Sequence, residues 1–175
     1  MQRNWLTLLL FGLFLVQSTI LKWLIPEMWQ TGVKVAPQLT LVVVLLIGLY
    51  ANRHVAMLYG LGFGLLHDIV FYGPMIGTYT FTMGLLGYLA GLIGLRANSS
   101  MLTGLFVLAL GDLLFHWILF GIYRLFRITH ISTHWVFFHQ MLPSLLIDLL
   151  FALLIYVPVR KLLEGLALEE KPEED

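Results

Sequence analysis

MLTGLFVLALGDLLFHWILFGIY, residues Met101–Tyr123, is an apolar run broken by a single charged side chain, Asp112. A helix needs about 20 such residues to cross a hydrocarbon core ~30 Å thick. A polar turn precedes the run (Arg96, Asn98, Ser99, Ser100), and a more polar stretch, Arg124–His134, follows it. Similar apolar runs recur on both sides along the whole chain.

The composition agrees. Hydrophobic residues make up 59% of the 175 residues and charged residues 11%, with a mean hydropathy of +0.89. A soluble domain needs about a quarter charged residues to coat its surface. The formal net charge is zero and the Lys and Arg are scattered, which argues against nucleic acid, whose binders carry a basic stripe. The chain has no cysteine, which excludes disulfide frameworks, thiolate zinc sites and Cys nucleophiles.

Six membrane spans are expected, in an all-α, polytopic single domain over residues 1–163. They cover roughly Trp5–Ile25, Gln38–Tyr50, Val55–Phe71, Ile76–Leu95, Met101–Tyr123 and Trp135–Val157. The first is longer than a signal-peptide core and lacks a cleavage pattern, so it reads as a retained span. The second is short and either begins near Val35 or sits shallow. Asn52–His54 forms a turn, Gly73 and Pro74 break the chain after the third span, and Pro158 with Arg160 and Lys161 closes the sixth. Residues 164–175 form a short acidic tail. With the N-terminus inside, Arg3, Arg53, Arg96, Arg160, Lys161 and Lys171 fall on the cytoplasmic side, against Lys22, Lys34, Arg124 and Arg127 outside. This bias places both termini in the cytoplasm. Trp5, Trp23, Trp29 and Trp135 sit near span ends, as interfacial anchors do; Trp117 lies within a span.

The most specific local pattern is a glycine ladder. Gly60 and Gly64 lie four apart and lead to Asp68; Gly73 and Gly77 flank the next turn; Gly84, Gly87 and Gly91 follow. Small residues four apart on a helix let another backbone approach closely, which is the usual packing seam of membrane helices. The seam serves either as a partner-binding or substrate-lining face, or as the contact between the chain's own third and fourth spans.

Asp68, Asp112 and Asp148 lie within three different spans. A carboxylate at mid-membrane costs about 2.5–3.5 kcal/mol on insertion scales, so it faces the bundle interior or a wet cavity. The three could converge, and Asp112 and His116, four apart, share a helix face. Structural ties between helices, a polar cavity, and a proton or cation path all fit this pattern. Arg124, Arg127, His130 and His134 recur at helical spacing, as a short helix lying in the outer interface would. His130 and His134 lack a third ligand in register, so no metal or cofactor is expected. Asn98-Ser99-Ser100 matches a glycosylation sequon but falls in an expected cytoplasmic turn. No Walker A, G-x-S-x-G or H-E-x-x-H motif occurs, and no enzyme activity is expected.

Four pieces in order carry a family resemblance: Pro37-Gln38-Leu39; Gly60-x-x-x-Gly64-Leu65-Leu66-His67-Asp68; Gly73-Pro74-Met75-Ile76-Gly77; and Leu86-Gly87-Tyr88-Leu89-Ala90-Gly91. This stretch resembles the MreD family of bacterial rod shape-determining membrane proteins. Gln38 and Met75 depart from the family's pattern. The resemblance implies a non-catalytic scaffold of the cell-wall elongation complex in the bacterial plasma membrane. Its implied partners are an MreC-like protein, a RodA-type polymerase with its penicillin-binding partner, and MreB filaments, reached directly or indirectly. Membrane lipid surrounds it. The family is also similar in architecture to the substrate-binding subunits of energy-coupling-factor vitamin transporters, which supplies the main alternative function. The first span, however, has no alanine for their Ala-x-x-x-Ala docking seam. A lipid-handling transporter is the third reading.

Overall fold

The structure, a computed structural model, describes residues 2–24, 37–70, 75–94, 101–128 and 132–169. All regular structure among them is helical: α1 (Gln2–Leu24), α2 (Leu39–Tyr50), α3 (Arg53–Val70), α4 (Thr78–Gly94), α5 (Met101–Leu125), α6 (Thr133–Val136), a π-helical turn (Phe137–Met141) and α7 (Leu142–Glu169). The last three run on without a break, so the six expected spans correspond to six helical rods.

The smallest rod organises the others. α2 has 12 residues, so it is about 18 Å long, well short of the hydrocarbon core. Every one of its residues is buried, and it touches α1, α3, α4, α5 and α7. Leu41, Val43, Val44, Leu46 and Ile47 are fully buried. A helix hydrophobic on all sides belongs at the centre of a bundle. Because protein surrounds α2, its backbone meets no lipid, and a short element is tolerated at membrane depth.

The outer helices show the reverse pattern of a soluble protein. On α5, Leu102, Phe106, Leu110, Leu114 and Trp117 form an exposed ridge, while Gly104, Gly111, Asp112 and Phe115 turn inward. On α7, Leu146, Leu150, Leu153, Leu154 and Val157 are exposed, while Ser144, Asp148, Ala152 and Tyr156 are buried. Apolar outside and polar inside is the arrangement a lipid solvent selects. The helix Met101–Leu125 and the continuous helix Thr133–Leu163 are each long and apolar enough to cross a membrane.

α3 and α4 form the most closely packed pair. A Cβ built on Gly60 would lie 2.5 Å from the Met83 carbonyl oxygen, and one on Gly64 would lie 2.6 Å from Thr80 Cα. From the other side, Gly87 meets the Ala56 carbonyl and Gly91 meets the backbone of Arg53. Gly84 meets the Leu61 side chain most closely, the softer contact. Gly48 of α2 packs on Gly87 and Gly91, so three helices share one glycine junction. At the α2–α3 corner, Asn52 accepts the His54 amide at 3.0 Å, as an N-cap residue does. The turn is therefore tighter than expected, because Arg53 and His54 already belong to α3.

Two expectations are corrected here. Pro158 does not close the last helix, which continues through it to Glu169 and into the stretch expected to be tail. Tyr156, Val159 and Leu163 around it are buried, and this packing holds the rod together despite one lost hydrogen bond. The interfacial helix expected from Arg124, Arg127 and His134 does not form either. Arg124 belongs to α5, Arg127 takes a left-handed φ of 57° just past its end, and His134 lies in a new helix that starts at Thr133; His130 lies outside the described residues. The π turn stands just before Pro143, which has no amide to donate to the carbonyl four residues back.

Gly60 and Gly62 provide a matched test. Gly60→Ala places a methyl against the α4 backbone and is expected to cost at least 1–3 kcal/mol. Gly62→Ala meets open space and is expected to be neutral or stabilising by up to ~1 kcal/mol through helix propensity. Thermal melts of the two variants in one mild detergent compare them directly.

Candidate functional site: a buried polar cluster at two helix N-termini

A helix begins with amide groups that have no partner within it. In water these bond to solvent. In the interior of this bundle they need acceptors from the protein, and carboxylates supply them twice.

The first case is α4. Gly77, the residue before it, has φ +99°, a left-handed conformation that suits glycine and leaves the usual N-cap side chain missing. Asp68 of α3 takes its place. Its Oδ2 accepts from Gly77 N (2.9 Å), Thr80 N (3.0 Å) and Thr80 Oγ1 (2.7 Å), and its Oδ1 from Tyr79 N (3.2 Å). The carboxylate is 1% exposed. A negative group at the positive end of a helix is favourable, and the four donors replace its lost hydration. Thr78 Oγ1 donates to the Met75 carbonyl at 2.7 Å and tightens the same turn.

The second case is α2. Asp148 of α7 accepts the Gln38 amide at 2.9 Å on both oxygens. Gln17 of α1 accepts from Thr40 N (3.4 Å) and Thr40 Oγ1 (3.2 Å), and its own amide nitrogen donates to Gln38 Oε1 at 3.2 Å. The same nitrogen lies 3.0 Å from His67 Nε2, which accepts when its ring proton sits on Nδ1. His67 stacks on Tyr79 with ring centroids 5.0 Å apart. The entry to α2 thus ties α1, α3 and α7 together through side chains that are all at least nine-tenths buried.

Asp112 completes the cluster. It is 2% exposed, and no amide or hydroxyl proton of the described residues reaches either carboxylate oxygen. Its neighbour across the bundle is the Asp148 carboxyl. His116 Nδ1 bonds the Asp112 backbone carbonyl at 2.9 Å and stands 3.7 Å from its Oδ1.

The three intramembrane aspartates therefore divide into Asp68 alone and Asp112 with Asp148. Gly60, Gly64, Gly84, Gly87 and Gly91 lie at the α3–α4 seam, with Gly48 beside them. Gly77 shapes the α4 cap, and Gly73 lies outside the described residues. Gln17, Gln38, Thr40 and His67 were not singled out from sequence as parts of a site. Their signal was the one that marked the aspartates, a polar side chain inside an apolar run.

Removing the Asp68 acceptor separates its two roles. Asp68→Ala leaves buried amides without partners and is expected to cost ~2–4 kcal/mol. Asp68→Asn keeps an acceptor oxygen and is expected to cost about half as much. The midpoints of thermal unfolding in detergent give the ranking; equal losses would show that charge, not hydrogen bonding, holds the turn.

The family model described as rod shape-determining protein MreD matches residues 2–166. The rod shape-determining protein MreD of Bacillus subtilis (strain 168) is 25% identical over 138 residues, covering 79% of this chain and 80% of that protein. No solved structure matches the chain. The motif pieces that carry the resemblance fall on described structural joints: Pro37–Leu39 opens α2, Asp68 caps α4, and Gly87 and Gly91 line the three-helix junction. The match places the chain among membrane proteins of cell-shape determination. By a family match over nearly its whole length, this chain belongs to the MreD family of rod shape-determining proteins.

Proposed function

We propose that the chain is a non-catalytic membrane scaffold of the cell-wall elongation machinery. In this reading it holds an MreC-like protein beside a RodA-type polymerase and its penicillin-binding partner, and connects them, directly or through that protein, to MreB filaments. It crosses the bacterial plasma membrane several times with both termini in the cytoplasm.

The observation that carries the reading is how the interior is used. The glycine seams are filled by the chain's own helices, and most of the buried polar side chains are bonded to one another or to helix ends. Such an interior supports a rigid part that other membrane helices pack against. It gives less support to a transporter subunit, whose polar groups face a cavity that receives a ligand. The surface left for partners includes the apolar ridges on α5 and α7 and the exposed apolar side chains of α1, α3 and α4.

Affinity purification from native membranes in a mild detergent tests this directly. An MreC-like protein and the wall synthases are expected to come along; an ATPase pair with a coupling membrane subunit would sink the scaffold reading. Gly64→Leu and Gly91→Leu are expected to abolish both assembly and rod shape. Asp112→Asn, which keeps hydrogen-bonding capacity, is expected to leave cells rod-shaped at normal protein level. For topology, a reporter fused after Asp175 is expected to read as cytoplasmic.

A further inference from the structure

At the end of the bundle opposite Arg53 and Arg160, the surface of α5 opens into a groove of about 390 Å³. It is lined by Trp117, Phe120, Gly121, Arg124, Leu125 and Thr133. A Cβ built on Gly121 would meet nothing within 4 Å, so this glycine makes a notch rather than a seam. Trp117 and Leu125 are exposed on its walls, and Phe126 beyond them is 58% exposed.

Along the chain the charge around the groove is one-sided, and a carboxylate across the bundle, Asp68 beyond Thr78 and Tyr123, is buried and bonded to the start of α4. From Leu113 to Ile147 the chain has no Asp or Glu, while it carries Arg124 and Arg127. Among the described residues no carboxylate forms an ion pair with either arginine. Asp112 is twelve positions back along α5, about 18 Å away, and buried against α7. Arg124 is nevertheless positioned. Its Nη1 donates to Thr133 Oγ1 at 2.6 Å, and its guanidinium carbon stands 5.9 Å from the Phe120 ring centre. That contact uses part of its donor set and leaves the rest facing outward. Arg127 follows in the left-handed conformation just past the helix end, and is exposed. An apolar groove that runs along the helix and ends at the Arg124 guanidinium, with exposed Arg127 three residues on and no carboxylate paired to either among the described residues, matches a molecule with an apolar chain and an anionic phosphate head.

We propose that this groove binds an anionic phospholipid. An acyl chain lies against Trp117, Phe120 and the Gly121 notch, and the phosphate sits on Arg124 and Arg127. The inference requires only that the chain lies in a bilayer; it does not depend on which proteins it scaffolds.

The test is native mass spectrometry of the full-length chain purified alone and exchanged into mixed phosphatidylglycerol and phosphatidylethanolamine. The wild type is expected to retain phosphatidylglycerol preferentially. Arg124→Gln keeps a donor for Thr133, and Arg127→Asn suits the left-handed backbone. Each is expected to lower that preference about fivefold, the effect of one basic group near a membrane surface. Gly121→Leu fills the notch and is expected to lower retention of both lipids alike. Arg127 packs in no core, so its variant keeps the test open if Arg124→Gln misfolds. Equal retention of the two lipids by the wild type, or an unchanged preference in Arg127→Asn, overturns the proposal. A photo-crosslinker at position 121 in native membranes is expected to label lipid; labelling of a protein instead would assign the groove to a partner helix and overturn it equally.

Discussion

A helix that starts inside an apolar medium exposes amide protons that no solvent will take, and this chain starts two helices that way. Each unmet amide costs about 1–3 kcal/mol in a buried setting, and a bare carboxylate there costs more. Bringing the two together removes both penalties. Asp68 accepts from three amides and a hydroxyl at the start of α4; Asp148 accepts the Gln38 amide where α2 begins. Each carboxylate comes from a different helix than the one it caps, so each cap is also a tertiary contact. Helix starts, intramembrane charges and bundle topology are one arrangement.

The packing follows from that arrangement. With its N-terminus fixed by Gln17 and Asp148, α2 can be short and still central, since its ends do not need to reach the headgroups. Around it, close backbone approach replaces the hydrophobic drive that lipid does not provide. Gly48, Gly87 and Gly91 bring three helices to one point, and Gly104 admits the Tyr50 and Tyr156 hydroxyls, which bond to each other. Arg160 lies over the Tyr50 ring at 5.3 Å, a further contact at the end of the bundle opposite Arg124. The outer faces remain uniformly apolar and free for lipid or for the helices of partner proteins. This suits a scaffold, whose binding surfaces are ridges on a stiff rod rather than a pocket.

Asp112 stands apart in this account. Its oxygens receive no amide or hydroxyl proton among the described residues, and it faces a carboxyl that already serves a helix end. The pair of carboxyl groups stands between α5 and α7. Its neighbours Gln38 and, through Gln17, His67 connect it to α1 and α3.

Hydropathy alone determined that this is a helical membrane protein and about where its rods lie, because apolar length is a one-dimensional property that the bilayer reads locally. Residues four apart likewise showed that Gly60 with Gly64 and Gly87 with Gly91 make smooth faces. What sequence left open is everything that depends on which faces meet. Whether the glycines served a partner or the chain itself turned on the α3–α4 pairing. The three aspartates looked equivalent along the chain, yet one caps a neighbouring hairpin and two pair across the bundle, since depth and azimuth are set by helix packing. Pro158 read as a helix end because its local cost is certain, and only the burial of Tyr156, Val159 and Leu163 around it offsets that cost. The short second span looked like a weak membrane helix and is the centre of the fold: an 18 Å helix cannot cross a bilayer, but it can be enclosed by five others, and enclosure is a property of the tertiary structure.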